Sequence, residues 1–233
     1  MTQTSPFPHR NRLLAALSSA DLALLQPNLD PVSLELRHVL ETANEPITHS
    51  YFIDSGIASI VAGNGNHRRR IEVGLVGFEG MTGVAVVLGS DRSPNENFMQ
   101  VGGDGRRISA DKLRVAMQES PSIQGAFLNF AHAFLNQVSN TALSNGTASI
   151  EERLARWLLM AHDRLNDDTI PLTHEFLSLM LGVRRAGVTV ALNALERKGV
   201  ITLTRGQILI TDREGLKASA NGSYAVPEMP VTH

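Results

Sequence analysis

The stretch LGVRRAGVTVALNALERKG, Leu181 to Gly199, puts two adjacent arginines where an amphipathic helix must begin. Val188, Leu192 and Leu195, spaced by four and three, form the apolar stripe of that helix, and Gly199 stops it. A helix N-terminus already carries partial positive charge, so cations there cost on the order of a few tenths of a kcal/mol. The cost disappears if the helix end faces an anion. Arg184 and Arg185 can meet a phosphate that the helix dipole also favours, or pair with guanine O6 and N7 by two hydrogen bonds. This is the chemistry of recognition, not of bond making.

A second candidate lies upstream, in GLVGFEGMTGVAVVLGSDRSPNEN, Gly74 to Asn97. Its glycines at 74, 77, 80 and 83 repeat every three residues and make neither GxGxxG nor a P-loop, so nucleotide chemistry is not indicated. Read structurally, they serve tight turns. Glu79 and His67 have no partner at a diagnostic spacing, and His67 beside the arginines at 68–70 reads as a solvated hairpin edge. With no cysteine, disulfides, thiolate metal sites and cysteine-ligated iron–sulfur clusters are excluded. The eight histidines show no ligand spacing. These residues predict a binding protein and no enzyme.

The arginine pair needs a scaffold, and its neighbours supply one. Thr173 can cap a short helix from His174 to Leu181, with Pro171 just outside it, and Gly182 can make the tight turn into the second helix, Arg184 to Lys198. Two helices joined in this way form a helix-turn-helix, whose second helix presents its N-terminal residues to a major groove. ITLTRGQILIT then reads as a β-hairpin wing that can bring Arg205 near a phosphate. From Leu172 to Ile210 there are five basic and two acidic residues, although the chain as a whole carries a net charge of -2. Local positive charge in a near-neutral chain fits a DNA-contacting module within a larger protein.

The rest of the chain divides by periodicity. After a short helical stretch, Asn11 to Leu25, residues 32–109 carry short β-type runs separated by turn signals such as NGN at 64–66 and GGDG at 102–105. That pattern predicts a compact all-β roll or barrel. SADKLRVAMQESP is a short helix, and the next, Ser122 to about Ser144, has no charged residue. Ile123, Phe127, Phe130, Phe134 and Val138 form one apolar stripe on it, and Leu128, Ala131 and Leu135 a second. Such a helix is either buried whole within a monomer, or lays one face on its own roll and offers the other to a second copy. We expect the first stripe, Ile123 to Val138, to be the dimer seam. NGT at 145–147 should break the chain, and Ser149 with Glu152 makes a capping box for the following helix. The end after Lys217 reads as loose.

LTHEFLSLMLGVRRAGVTVALNALERKGVI is similar, nearly position for position, to the helix-turn-helix of the Crp–Fnr superfamily of transcription regulators. The resemblance covers nearly the whole chain. It implies an α+β protein: an N-terminal antiparallel β-roll (a jelly-roll-like double-stranded β-helix), a long dimerisation helix and a C-terminal winged helix-turn-helix. The expected boundaries are 1–120 for the roll and flanking helices, 121–147 for the dimer helix and hinge, 148–217 for the DNA-binding domain and 218–233 for the tail. Arg185 matches the family's first recognition arginine, whereas Ala186 and Val190 replace a glutamate and a second arginine. DNA contacts are expected from Thr173, Arg184, Arg185, Gly187, Thr189, Lys198 and Arg205.

In the roll, Glu79 and Gly80 resemble the family's ribose-binding turn, and Arg92-Ser93 its phosphate-binding dipeptide, so these four are the effector-binding candidates. Pro94 removes an amide and Glu96 adds a carboxylate beside the anion's place, which disfavours a cyclic nucleotide. The expectation is a homodimeric regulator acting on a near-palindromic double-stranded site, with RNA polymerase as a partner if it activates. No apolar run approaches the roughly 20 residues of a membrane span, and the N-terminus lacks an apolar export segment, so a cytoplasmic bacterial protein is expected. The alternative is a ligand-binding signalling module whose helix-turn-helix does not read DNA.

Overall fold

A computed structural model describes residues 10–63, 70–165 and 167–224. The turn at 64–66, His67 and the two arginines after it lie outside the described residues. Short helices α1 (Arg12–Ala15) and α2 (Ser19–Leu25) precede strands β1 (Asp30–Leu34), β2 (Val39–Glu41), β3 (His49–Ile53), β4 (Ile57–Gly63) and β5 (Arg70–Val76). Helix α3 (Val84–Val87), β6 (Glu96–Val101) and β7 (Gly103–Ser109) complete this part. All pairings are antiparallel, in two sheets ordered β1-β7-β3 and β2-β6-β4-β5. The roll predicted from the spacing of β-type runs is thus formed. Its core includes Phe52, Ile53 and Met99, all fully buried.

Ser109 caps α4 (Ala110–Glu119), and Ser120, with Pro121 behind it, caps α5 (Pro121–Thr147). The NGT triplet does not break α5 but forms its last turn, and the chain leaves the helix at Ala148. The capping box forms as expected: the Ser149 amide donates to Glu152 at 2.7 Å, and the Glu152 amide donates to Ser149 Oγ at 3.3 Å. Helix α6 (Ile150–Leu165) then leads through β8 (Thr169–Ile170) to α7 (His174–Leu181), α8 (Arg185–Arg197), the hairpin β9 (Ile201–Thr204) and β10 (Gln207–Ile210), and α9 (Arg213–Ser219). From Ala218 to Tyr224 the chain is not loose, and the remainder of the expected tail lies outside the described residues. Ala220 is fully buried and the Tyr224 hydroxyl donates to Asp163 at 2.5 Å.

Helix α5 is two-faced, but its faces are the reverse of the expectation. Ile123 and Phe127 are fully buried and Phe130 is 3% exposed, all within the core of the chain's own roll, where Phe127 packs on Phe52 at 5.7 Å between ring centroids. Phe134 is half-buried against the same core. The aromatic stripe goes inward because it carries the larger apolar area, and burial favours area. The opposite face leaves Leu128, Leu135 and Leu143 at 40%, 49% and 64% exposure.

The glycine ladder also has another use. Among its four members only Gly83 has positive φ, at 80°. A Cβ on Gly74 would lie 2.6 Å from the Phe134 ring, and one on Gly80 would lie 2.1 Å from the Phe130 ring. These glycines let α5 approach the roll backbone; tight turning is secondary.

Helices α6 and α7 pack against β4 and β5, so a second core joins roll residues Ile57, Val61, Leu75 and Phe98 to Trp157, Leu158, Met180 and Leu192. Two carboxylates are trapped there. Glu72 accepts from the Trp157 indole at 2.6 Å and from the Ser59 hydroxyl, and Arg164 donates to Glu79 at 2.7 Å. Burial pushes the Glu72 carboxyl up from 4.5 to about 7, against the opposing hydrogen bonds from Ser59 and Trp157. A carboxyl that holds its proton when folded lends stability below pH 4.5 that is lost as the pH rises through about 7. Melting temperatures across that range should therefore fall more in the wild type than in Glu72→Gln. Parallel profiles would place the titration elsewhere.

Candidate functional site

The C-terminal site is assembled from α7, α8 and the wing. Thr173 caps α7, its Oγ1 accepting from the Phe176 amide at 3.4 Å. Gly182 ends that helix at φ 60°, with the Gly182 and Val183 amides returning to Leu179 and Ser178. This left-handed closure is the one glycine allows cheaply, and it turns the chain directly into α8. Val188, Ala191, Leu192 and Leu195 bury one side of α8, which presses it against α6 and α7. Gly187 lets α8 approach α6 closely, since a Cβ there would meet the Ile150 side chain at 3.2 Å. Gly187 thus has a packing role in seating α8 on α6.

Arg184 is the N-cap of α8, and its side chain makes no capping bond. The first turn of α8 has no acidic residue. Free amide donors, the positive helix end and the exposed side chains of Arg184 and Arg185 thus converge on open space. Ala186, Val190, Asn193 and Arg197 follow on the exposed side, with Val190 67% exposed. Asn193 was missed in the sequence. Its spacing from Ala186 and Val190 was the available signal, and an amide there can pair with adenine N6 and N7. Arg205 is exposed at the tip of the β9–β10 hairpin, next to Gly206.

Two other predicted residues lie differently. Thr189 is half-buried, its hydroxyl donating to the Arg185 carbonyl at 3.1 Å and meeting His174 Nδ1 at 3.2 Å, so it ties α8 to α7. Lys198 follows the far end of α8, roughly 20 Å from its head for a helix of this length, and pairs with Glu151 at 2.5 Å.

The predicted effector residues are dispersed. Glu79 is 4% exposed, bonded to Arg164 and to the Gly77 amide, and is not among the residues lining the cavity between the roll, α3 and α5. The ribose-binding role is thereby corrected: the carboxylate is a strut between roll and α6. Gly80 backs onto Phe130. Arg92 points outward, donating to the Asn44 carbonyl at 2.8 Å. Only Ser93 of the four lines the partly open cavity of about 290 Å³ between the roll, α3 and α5.

The walls of this cavity are mainly apolar, from Ile60, Val73, Val76, Met81, Phe134 and Val138. One end is polar and holds Glu41, which the sequence did not single out. The register of β2 opposite β6 sets Glu41 against Asn97. Glu41 accepts from the Gly83 amide at 2.7 Å and the Asn97 amide at 3.2 Å, and burial raises its carboxyl above the ordinary range. An anion about 4 Å from the ionised carboxylate would be opposed by about 4 kcal/mol at an effective dielectric near 20.

Comparison with known proteins agrees with this architecture. Residues 152–219 match the Crp-like helix-turn-helix domain family. No curated protein matches the sequence. Among solved structures, the chain resembles a Crp/Fnr-family transcriptional regulator of Eubacterium rectale at 20% identity, covering 92% of this chain and 100% of that one, with a TM-score of 0.70. It also resembles the c-di-GMP-responsive global regulator CLP of Xanthomonas campestris at 16% identity, covering 83% and 99%, with a TM-score of 0.68. A CRP-family regulator of Thermus thermophilus gives 17% identity, 83% and 98% coverage, and a TM-score of 0.67. Among the described residues no helix is long and apolar enough to cross a membrane. The C-terminal part of this chain is a Crp-like helix-turn-helix domain, and the whole has the fold of the Crp/Fnr transcription regulators.

Proposed function

We propose that this protein is a homodimeric, sequence-specific DNA-binding transcription regulator with no catalytic activity. The observation that carries this reading is the head of α8, an uncapped helix N-terminus with two exposed arginines and an exposed face of Ala186, Val190 and Asn193. Arg184 and the free amides meet phosphate, and Arg185 reads guanine. Ala186 and Val190 offer apolar contact to thymine methyl groups, and Asn193 offers a bidentate pair to adenine. Arg205 on the wing holds a flanking phosphate. The word read differs from that of a family member with glutamate and arginine at positions 186 and 190.

Dimerisation uses the outward face of α5. Leu128, Leu135 and Ala142 repeat every seven residues, as do Gly125, His132, Ser139 and Gly146, and the two series together make a heptad seam. A Cβ on Gly125 or Gly146 would meet nothing within 4 Å, which leaves room for close approach of a second helix. A twofold axis along α5 would set the two α8 helices in successive major grooves, about one helical turn apart.

Arg185→Ala tests the base-reading role. It is expected to cost about 1–3 kcal/mol of binding and to relax specificity at one position of each half-site, as measured by gel shift on the promoter of the protein's own gene. Unchanged affinity and specificity would favour the alternative, a signalling module whose helix-turn-helix does not read DNA.

A further inference from the structure

Taking the roll as the sensory half of such a regulator, we infer that the cavity between the roll and α5 binds a small apolar amine, whose charged head is held by Glu41 and Asn97. The inference rests on the cavity's inventory of charge. Among the described residues, Glu41 is the only charged one that lines it. Its hydrogen-bond partners are all neutral: the Gly83 amide, the Asn97 side chain and the Thr82 hydroxyl. Asn97 is 3% exposed, and its Oδ1 accepts from no group among the described residues. A buried carboxylate without a cation and a buried acceptor without a donor therefore share one end of a single cavity. An unsatisfied buried polar atom is costly and calls for a partner.

An ammonium group has three donors and one positive charge, and so complements both atoms at once. The rest of the ligand must be apolar, because the opposite walls are Val73, Val76, Met81, Phe134 and Val138. At about 290 Å³ the cavity lies at the lower end of small-molecule sites, which limits the ligand to a small molecule. Phosphate, sulfate and carboxylate ligands are opposed by Glu41. Arg92, the nearby cation that could reverse this preference, is turned away to the Asn44 carbonyl. Occupancy would reach the dimer helix directly, since Phe134, Leu135 and Val138 of α5 form part of the wall.

Methyl NMR on the full chain tests the inference with three probes of similar shape: 2-phenylethylamine, 2-phenylethanol and 3-phenylpropionate. Met81, fully buried and on the cavity wall, is the reporter. The amine is expected to shift the Met81 signal with at least tenfold tighter binding than the alcohol, and the carboxylate and cyclic AMP to leave it unmoved. Glu41→Gln should erase the tenfold preference while the alcohol still binds. Ser93→Arg, on a half-exposed loop at the polar end, should abolish amine binding in a normally folded protein even if Glu41→Gln fails to fold. Absence of an amine-dependent Met81 shift, or an equal response to the carboxylate or cyclic AMP, would overturn it. DNA binding measured on the same sample separates failure of the ligand class from failure of the regulator reading.

Discussion

Leu128→Glu is expected to convert the dimer to a monomer in light scattering and to lower DNA affinity by orders of magnitude. Leu128 is 40% exposed on the outward face of α5, so the folded monomer tolerates the change. At a twofold seam, however, one substitution introduces two facing carboxylates. Each loses hydration on association, a penalty on the order of several kcal/mol per ion, and the pair repel each other. A monomer then holds only one half-site and forfeits the affinity that linking two recognition helices provides. Phe130→Ala supplies the contrast. It should cost about 3–5 kcal/mol of stability through the cavity it leaves in the roll, yet leave the stoichiometry at two. If Leu128→Glu stayed dimeric, the seam would lie on another surface.

The second large effect concerns the strut between roll and DNA-binding domain. Arg164 and Glu79 have side chains only 1% and 3% exposed and are 2.7 Å apart. Arg164→Ala strands a buried carboxylate, which should cost about 3–5 kcal/mol. For a protein of this size that corresponds to a fall in melting temperature of roughly 6–20 °C. Arg164→Met combined with Glu79→Gln removes both charges and should recover most of the loss, because a buried pair replaced by neutral groups is often close to neutral in stability. A double variant as unstable as the single one would mean that packing of the arginine stem, and not the stranded charge, carries the effect.

How far the sequence could be read depended on whether a residue's partner was local. The capping box at Ser149 and Glu152, the Thr173 cap and the turn at Gly182 involve neighbours a few residues apart, and their spacing announces them. The two-faced character of α5 was equally visible in its periodicity. Which face turns inward was not, because that depends on the shape of the roll and on Gly74 and Gly80, which admit Phe134 and Phe130. Glu79 was misread for a related reason. Its turn suggested a ligand, while its true partner, Arg164, lies 85 residues away. Glu41 and Asn97 are 56 residues apart and become one site only through the register of β2 on β6. On α8, Arg185 announced itself by charge, whereas Asn193 is a polar residue whose exposure only the packed helix reveals.

Selection of bound DNA from a random pool tests the central claim most directly. The account predicts recovery of a near-palindrome with half-sites centred about one helical turn apart, with a guanine in each half-site whose enrichment disappears when the selection is repeated with Arg185→Ala. Recovery of no common sequence by the folded wild-type protein would contradict it.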